Sequence, residues 1–468
     1  MVFSSLEFLV FYLPAVLLIY FLIPTKFLAA RNLMLLIVSL LFYGWSEPSY
    51  IWIMFLSIAV DYTCGRLVGR YKQTAPKKAK AALIASIVIN VSILAFFKYA
   101  DFIIENLSLI PIFSGLKPLG LTLPVGISFY TFQTMSYTLD VYLGEAKVQK
   151  NVATFGSYVT MFPQLIAGPI VRYRDVDDAL RSRQHTLENV ASGIKRFVCG
   201  LAKKVLLANT AGAFYESFVS GVESSPSVLG AWMGVVFFAF QIYFDFSGYS
   251  DMAIGLGKIM GFNFPENFNY PYISKSITDF WRRWHITLST WFREYVYIPL
   301  GGNRKGKSRT FINLIIVWFL TGLWHGASWN FVLWGLYFAV ILIVEKAFLG
   351  KLLSKLPAFL SHLYAIILIV FGWFIFIWCD LQNPGEYLSA LFASSLVSQI
   401  AIYDLLRGLL FLAILIIAST KLPYTVYCKL KDKTYFGVVL GLALPVVILL
   451  CTAYLVDSSY NPFLYFRF

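Results

Sequence analysis

The sequence predicts an all-α polytopic membrane protein, with about eleven crossings by hydropathy and loop charge. Three observations predict it. Only 13% of the 468 residues are charged and 59% are hydrophobic, whereas a soluble domain carries about 25% charge. A fold of this size without a charged shell must turn its surface to lipid. Residues 10–22, 33–43, 51–60, 82–97 and 436–455 are almost free of charge; a spanning helix needs roughly 20 mainly apolar residues, fewer where flanking side chains snorkel. These runs are also continuous, whereas the strands of a lipid-facing barrel alternate apolar and polar residues.

The first apolar run follows Glu7, with no basic stretch before it and no A-x-A site. It reads as a retained helix rather than a cleaved signal peptide. The net charge is +14, from 38 Lys+Arg against 24 Asp+Glu. The cations sit in short connections between apolar runs, which is the positive-inside pattern and not a nucleic-acid surface. With the basic loop 66–80 in the cytoplasm, the connections 26–31, 172–204, 303–309, 346–355 and 421–433 also fall inside. The N-terminus, the segments 216–227 and 380–387 and the C-terminal SSYNPFLYFRF then fall outside, as expected for a multi-pass protein of the inner (cytoplasmic) membrane. Two apolar stretches, 121–142 and 155–173, contain Pro and Gly, among them Pro163, Gly168 and Pro169. They read either as re-entrant segments around an internal site or as kinked spans. The five cysteines are scattered and form no C-x-x-C pair, so neither a disulfide framework nor a zinc site is expected. The chain reads as one domain, residues 1–468, with short external loops that offer little to grip a polymer.

An ionisable residue inside an apolar run is a functional signal. His325 lies in FINLIIVWFLTGLWHGASWNFVLWG, where Thr321, His325 and Ser328 fall at i, i+4 and i+7, one stripe on a continuous helix. Gly322 and Gly326 leave room for close approach of a substrate or a helix, and Trp324, Trp329 and Trp334 flank the stripe. A neutral imidazole is a competent general base; the alternative is a histidine hydrogen-bonded between helices for packing. His285 lies in SKSITDFWRRWHITLSTWFREYVYIPLGG, where Ile277, Trp281, Trp284, Leu288, Trp291 and Tyr295 recur at helical steps. The pattern predicts one amphipathic interfacial helix. Its Arg282 and Arg283 could attract a phosphate-bearing donor, or snorkel to lipid phosphates. His185, in a charged connection, reads as solvated, and His362, at the start of an apolar run, as interfacial.

Asp245 and Asp251, six residues apart in QIYFDFSGYSDMAIG, do not share a helix face and read as caps or arginine partners. Gln133, in FYTFQTMSY, reads as a buried amide between helices. H-E-x-x-H, P-loop and G-x-S-x-G patterns do not occur, so no metal is expected.

Together the stretches QIYFDFSGYSDMAIG, NFNYPYISKSITDFWRRWHITLSTWFREYVYIPLGGNRKG and GLWHGASWNFVLWG, within about 241–335, resemble the core of the bacterial MBOAT (membrane-bound O-acyltransferase) family. The opening VFSSLEFLVFYLPAVLLIYFLIP, the RN…LLIVSLLFYGW run, MFPQLIAGPIVRY and the terminal NPFLYFRF are similar to its alginate O-acetyltransferase membrane-subunit branch. The resemblance implies a single MBOAT membrane domain: a funnel of spanning, re-entrant and interfacial helices around a histidine buried midway through the membrane. His325, in W-H-G-A, matches that residue, and His285, in W-R-R-W-H, matches a second motif position. The site it implies has His325 and His285 as catalytic residues. Arg282, Arg283 and Trp284 lie toward the donor, and Trp324, Thr321, Ser328, Asp245 and Gln133 about the pocket. His325 is expected to act as base, and His285 to orient the donor or stabilise an oxyanion. The donor is expected to be acetyl-CoA or another acyl thioester, a substrate rather than a tightly bound cofactor. The partners implied are the lipid bilayer and an extracytoplasmic SGNH-like acetyltransferase that completes transfer to a polysaccharide, with no nucleic acid. A D-alanyl transferase for teichoic acids, a transporter and a non-catalytic scaffold are the competing readings.

Overall fold

The computed structural model describes residues 2–457 and Leu464. The C-terminal segment expected outside the membrane, and the NPFLYFRF motif, lie outside the described residues apart from Leu464. Among the described residues all extended elements are helical and nine helices are long and apolar enough to cross a bilayer: Leu28–Ser46, Pro48–Tyr71, Pro76–Ser108, Leu187–Ser224, Val228–Ile259, Trp329–Leu353, Ala358–Asp380, Gln399–Ala418 and Thr434–Asp457. A shorter apolar helix, Glu7–Leu22, precedes them. The chain forms two compact units, Met1–Phe197 with Tyr249–Glu266, and Val198–Gly248 with Asn267–Phe468.

In the first unit a buried carboxylate ties three helices. Asp61 accepts hydrogen bonds from the Ser86 hydroxyl, from Asn90 Nδ2 at 2.8 Å and from Thr138 Oγ1 at 3.0 Å. Three donors satisfy a charge that would be costly alone in an apolar interior. The two Pro/Gly stretches behave differently. Pro124 and Gly126 (φ +73°) lie ahead of an unbroken helix, Ile127–Leu143. The second stretch is broken: a helix, Val152–Thr160, ends at Met161, and one turn, Phe162–Leu165, follows. The break is buried, and side chains satisfy its backbone: Phe162 N donates to Ser39 Oγ at 3.0 Å, and Gln164 Nε2 to the Tyr158 carbonyl at 2.6 Å. Irregular backbone of this kind is tolerated at membrane depth only inside protein.

Asp251 pairs with Arg196 at 2.7 Å, the arginine partner expected of it. His185 is half-buried rather than freely solvated. Its ring lies 2.9 Å from the Tyr20 hydroxyl and 3.1 Å from Arg31, because the 182–186 connection folds back onto the end of the first helix.

In the second unit the Gly306–His325 and Trp329–Val344 helices form a tight hairpin. A Cβ on Gly322 would lie 2.3 Å from the Phe331 carbonyl oxygen, and one on Gly326 2.2 Å from the Phe331 ring. The space these glycines leave is therefore filled by the neighbouring helix. Gly322→Ala is expected to destabilise the protein by about 1–3 kcal/mol through overpacking; a lowered midpoint of thermal unfolding in detergent checks it. The hairpin packs on an aromatic core that includes Trp281, Trp284, Trp318, Trp334 and Trp373.

Two of the basic connections meet. Lys346 Nζ donates to Asn303 Oδ1 at 2.7 Å, joining the 303–309 and 346–355 connections. Ser227 and Ser395, in segments poor in cations, pair as an isolated bridge.

Candidate functional site

The site grows from a helix that does not continue. The steps from Ile277 to Tyr295 predict one amphipathic helix, but the structure has two, Ile277–Trp281 and Ile286–Phe292, separated by a turn. The first begins on a carboxylate: Glu345 accepts from Ile277 N at 2.7 Å and Thr278 N at 2.8 Å, which suits the positive end of a helix. The turn ends at His285, whose backbone is left-handed (φ +43°). That conformation costs a non-glycine residue of order 1–3 kcal/mol and persists only where its surroundings impose it. Here the 267–269 segment imposes it. Asn269 N donates to the Arg283 carbonyl, and Ile286 N to the Asn267 carbonyl, both at 2.9 Å. These tertiary bonds replace the helical ones.

Asn267 also sets the histidine's tautomer. Its Oδ1 accepts from the Thr287 backbone N–H at 3.3 Å and the Thr287 hydroxyl at 2.9 Å, so this atom is the amide oxygen. His285 Nδ1 lies 3.1 Å from the same oxygen and must donate to it. The neutral ring therefore carries its proton on Nδ1 and presents a lone pair at Nε2, which is buried without a hydrogen-bond partner among the described residues. Burial first, then the neighbouring His325, hold this imidazole well below the ordinary histidine value.

His325 closes the Gly306–His325 helix. The expected stripe through Ser328 does not form. The helix stops at His325, Gly326 is extended, and Ser328 caps the next helix with extended backbone (φ −152°). The His325 ring stands edge-on to Trp334 (centroids 4.9 Å) and Phe376 (5.4 Å). Trp324 touches both imidazoles, 5.8 Å from His285 and 5.1 Å from His325 between centroids.

Both histidines line one cavity of about 540 Å³. One wall is a single face of the Gly306–His325 helix, formed by Leu314, Val317, Thr321 and His325. From 314 to 325 that face runs about 16 Å at 1.5 Å per residue. Toward the helix start the lining holds Arg304, Asn303 and Lys346; Arg282 and Arg293 also face the cavity, and no acidic side chain among the described residues lines it. A second cavity of about 640 Å³ shares Arg282 and Lys346 and adds Lys275. Trp281 lines the first cavity, and its indole Nε1 is buried with no acceptor among the described residues.

The cavity thus brings together Arg282, His285, Thr321 and His325. Arg283 turns away to pair with Asp279 at 2.8 Å, and Trp284 packs at 4.8 Å on Trp373; neither lines the cavity. Among the described residues Asp245 takes a lysine rather than an arginine. It forms a buried pair with Lys204 at 2.7 Å and accepts Leu464 N at 3.1 Å. Gln133 belongs to the first unit, where both ends of its buried amide are without partners among the described residues. The helix-joining bond at this residue comes instead from its backbone carbonyl, which accepts from the Tyr158 hydroxyl at 3.0 Å. Sequence reasoning missed Asn267, Trp281 Nε1 and Lys346, and reached Arg304 only as part of the 303–309 connection placed on the cytoplasmic, donor side. Asn267 is 18 residues from His285, at no spacing that any regular element would reveal. The two cations were visible only as loop charge.

The model of the membrane-bound O-acyltransferase family matches residues 90–383. A probable alginate O-acetylase, AlgI, of Azotobacter vinelandii is 41% identical over 396 residues, 84% of this chain and 78% of that protein. A peptidoglycan O-acetyltransferase of Helicobacter pylori is 35% identical over 427 residues, 84% of this chain and 80% of that protein. A teichoic acid D-alanyltransferase of Bacillus subtilis matches less of the chain, 30% identical over 236 residues, 48% of this chain and 59% of that protein. The all-helical architecture, the two histidines on one cavity and these likenesses agree: the chain is an acyltransferase and belongs to the membrane-bound O-acyltransferase (MBOAT) family.

Proposed function

We propose that this enzyme moves an acetyl group from a cytoplasmic phosphate-bearing thioester, acetyl-CoA or another acyl thioester, to a hydroxyl that serves O-acetylation of an extracytoplasmic glycan. The observation that carries the reading is the single cavity with cations at one end and two imidazoles at the other. Arg304 and Lys346 suit the donor's phosphates, and the apolar wall between suits an extended thioester arm that places its carbonyl beside the histidines.

In this reading His325 takes the proton of the acceptor hydroxyl as the oxygen attacks the thioester carbon. The carbonyl becomes an oxyanion, the C–S bond breaks, and the thiol leaves with the proton that His325 returns. His285, protonated on Nδ1, offers Nε2 as an acceptor. It suits holding the hydroxyl rather than the oxyanion. The oxyanion donor is then the unpartnered indole N–H of Trp281. The basic connections joined by Lys346 and Asn303 support a cytoplasmic donor mouth. The likeness to an alginate O-acetylase and a peptidoglycan O-acetyltransferase supports a glycan as final acceptor. The short external connections leave room for a separate SGNH-like acetyltransferase to carry the group there.

Lys346→Ala and Arg304→Ala test the donor end. Each is expected to raise the KM for acetyl-CoA by about tenfold with kcat nearly unchanged, as removal of a phosphate contact made equally in ground and transition states requires. Unchanged KM in both variants would remove the phosphate-binding role of this mouth.

A further inference from the structure

The first unit holds two buried guanidinium groups without an acid. Arg183 is 9% exposed, and none of its three side-chain nitrogens has a hydrogen-bond partner among the described residues. It lies against ring faces, 4.4 Å from the Phe262 centroid and 5.9 Å from that of Tyr20, whose hydroxyl also acts on it. Arg31 is 2% exposed and packs on the other contacts of the same ring, 4.8 Å from the Tyr20 centroid. Its Nε and Nη2 donate to the Ile23 carbonyl, and its Nη1 meets His185, with no carboxylate partner among the described residues. The charge of Arg31 acts on Arg183 and on His185, whose ring burial and Arg31 hold below the ordinary histidine value.

A guanidinium does not lose its proton at any ordinary pH. Two of them, buried and sharing one tyrosine ring, repel each other, and cation–π contact offsets only about 0.5–2 kcal/mol of the cost of an unpaired buried charge. Such a group calls for an anion. The placement says which kind. Tyr20 ends the Glu7–Leu22 helix, Arg31 begins Leu28–Ser46, His185 stands just before Leu187–Ser224, and Met260, whose carbonyl accepts from Tyr20, follows Val228–Ile259. Four apolar helices end here, and a bilayer that they cross would bring its headgroups to their ends. Leu22, Phe27 and Leu187 are exposed apolar side chains in the same connections, suited to acyl chains.

We propose that Arg183 and Arg31 form a binding site for a phosphate group, supplied by the headgroup of an anionic phospholipid, with the 182–186 connection yielding to admit it. The site is separate in sequence and in residues from the acyl-transfer cavity.

The test uses the full-length protein in detergent, with phosphatidylglycerol, phosphatidylcholine and inorganic phosphate as probes, and reads thermal unfolding and retained lipid phosphorus. Phosphatidylglycerol is expected to raise the unfolding midpoint saturably, and about one phospholipid per chain is expected to survive delipidation. Arg183→Gln should weaken the response by about tenfold or more, the loss of a charge-assisted hydrogen bond. Arg183→Met should unfold at higher temperature than wild type without lipid, having lost the unpaired charge, yet give no lipid response. Saturation by inorganic phosphate, with phosphatidylglycerol adding nothing, would overturn the lipid source and assign the site to a free phosphate. Equal responses of wild type and Arg183→Gln to every probe would overturn the site. Should the variants fail to fold, wild type decides alone: no retained phosphorus, and no shift with either anion, overturns it.

Discussion

His325→Ala is expected to slow acetyl transfer from acetyl-CoA by about 10²–10⁴-fold, the usual contribution of a general base. The loss should fall on kcat, because in the proposed binding mode the donor's phosphates sit at the Arg304 and Lys346 end of the cavity, away from His325. His325 ends a helix whose cavity-facing residues lead from the cationic mouth to its ring, and Trp334 and Phe376 stand edge-on to that ring on the side of the aromatic core. Truncation leaves the core intact, so the variant should unfold near the wild-type temperature. Steady-state kinetics with labelled acetyl-CoA, beside a thermal melt, checks both parts. Wild-type kcat in a folded His325→Ala protein would remove the residue from the chemistry.

Trp281→Phe is expected to lower kcat by about 10²–10³-fold with little change in KM, the signature of a donor that bonds strongly only to the developing oxyanion. The substitution keeps most of the ring. Trp281 packs edge-on against Trp318 (4.5 Å), Phe338 (5.0 Å) and Trp334 (5.5 Å), contacts that a phenyl ring largely retains. Its N–H has no acceptor among the described residues, so removing it costs the resting protein no hydrogen bond. A buried donor left unmade is unfavourable unless something fills it during function. A matched loss of stability and activity would mark Trp281 as packing alone; an unchanged kcat in a stable variant would mark the N–H as unused.

Much of this was legible in the sequence, because lipid enforces simple patterns. The apolar runs, the absence of alternation and the charge of the connections suffice for an all-helical polytopic protein. The Thr321–His325 step on one helix face survives in the structure. What failed is where tertiary bonds override helical periodicity. The steps from Trp281 to Trp284 and Leu288 suit one helix, yet Asn267 and Asn269 capture the backbone at Arg283 and Ile286 and force His285 into a left-handed turn. Ser328 falls at a helical step from His325, but the Gly326 backbone and the close Phe331 ring end the helix first. Asp245 announced a cation by its burial, though not that Lys204, 41 residues earlier, would be the partner. The tautomer of His285, which decides whether it gives or accepts a hydrogen bond, depends on an asparagine that no local pattern connects to it.

The central claim is that a thioester enters the cavity from its cationic mouth and reacts beside His325. Release of acetyl from radiolabelled acetyl-CoA, by purified wild type, His325→Ala and Lys346→Ala, tests it most directly. The account predicts turnover by wild type, loss at all donor concentrations in His325→Ala, and recovery at high donor concentration in Lys346→Ala. Equal release by wild type and His325→Ala, with Lys346→Ala no more demanding of donor, would contradict it.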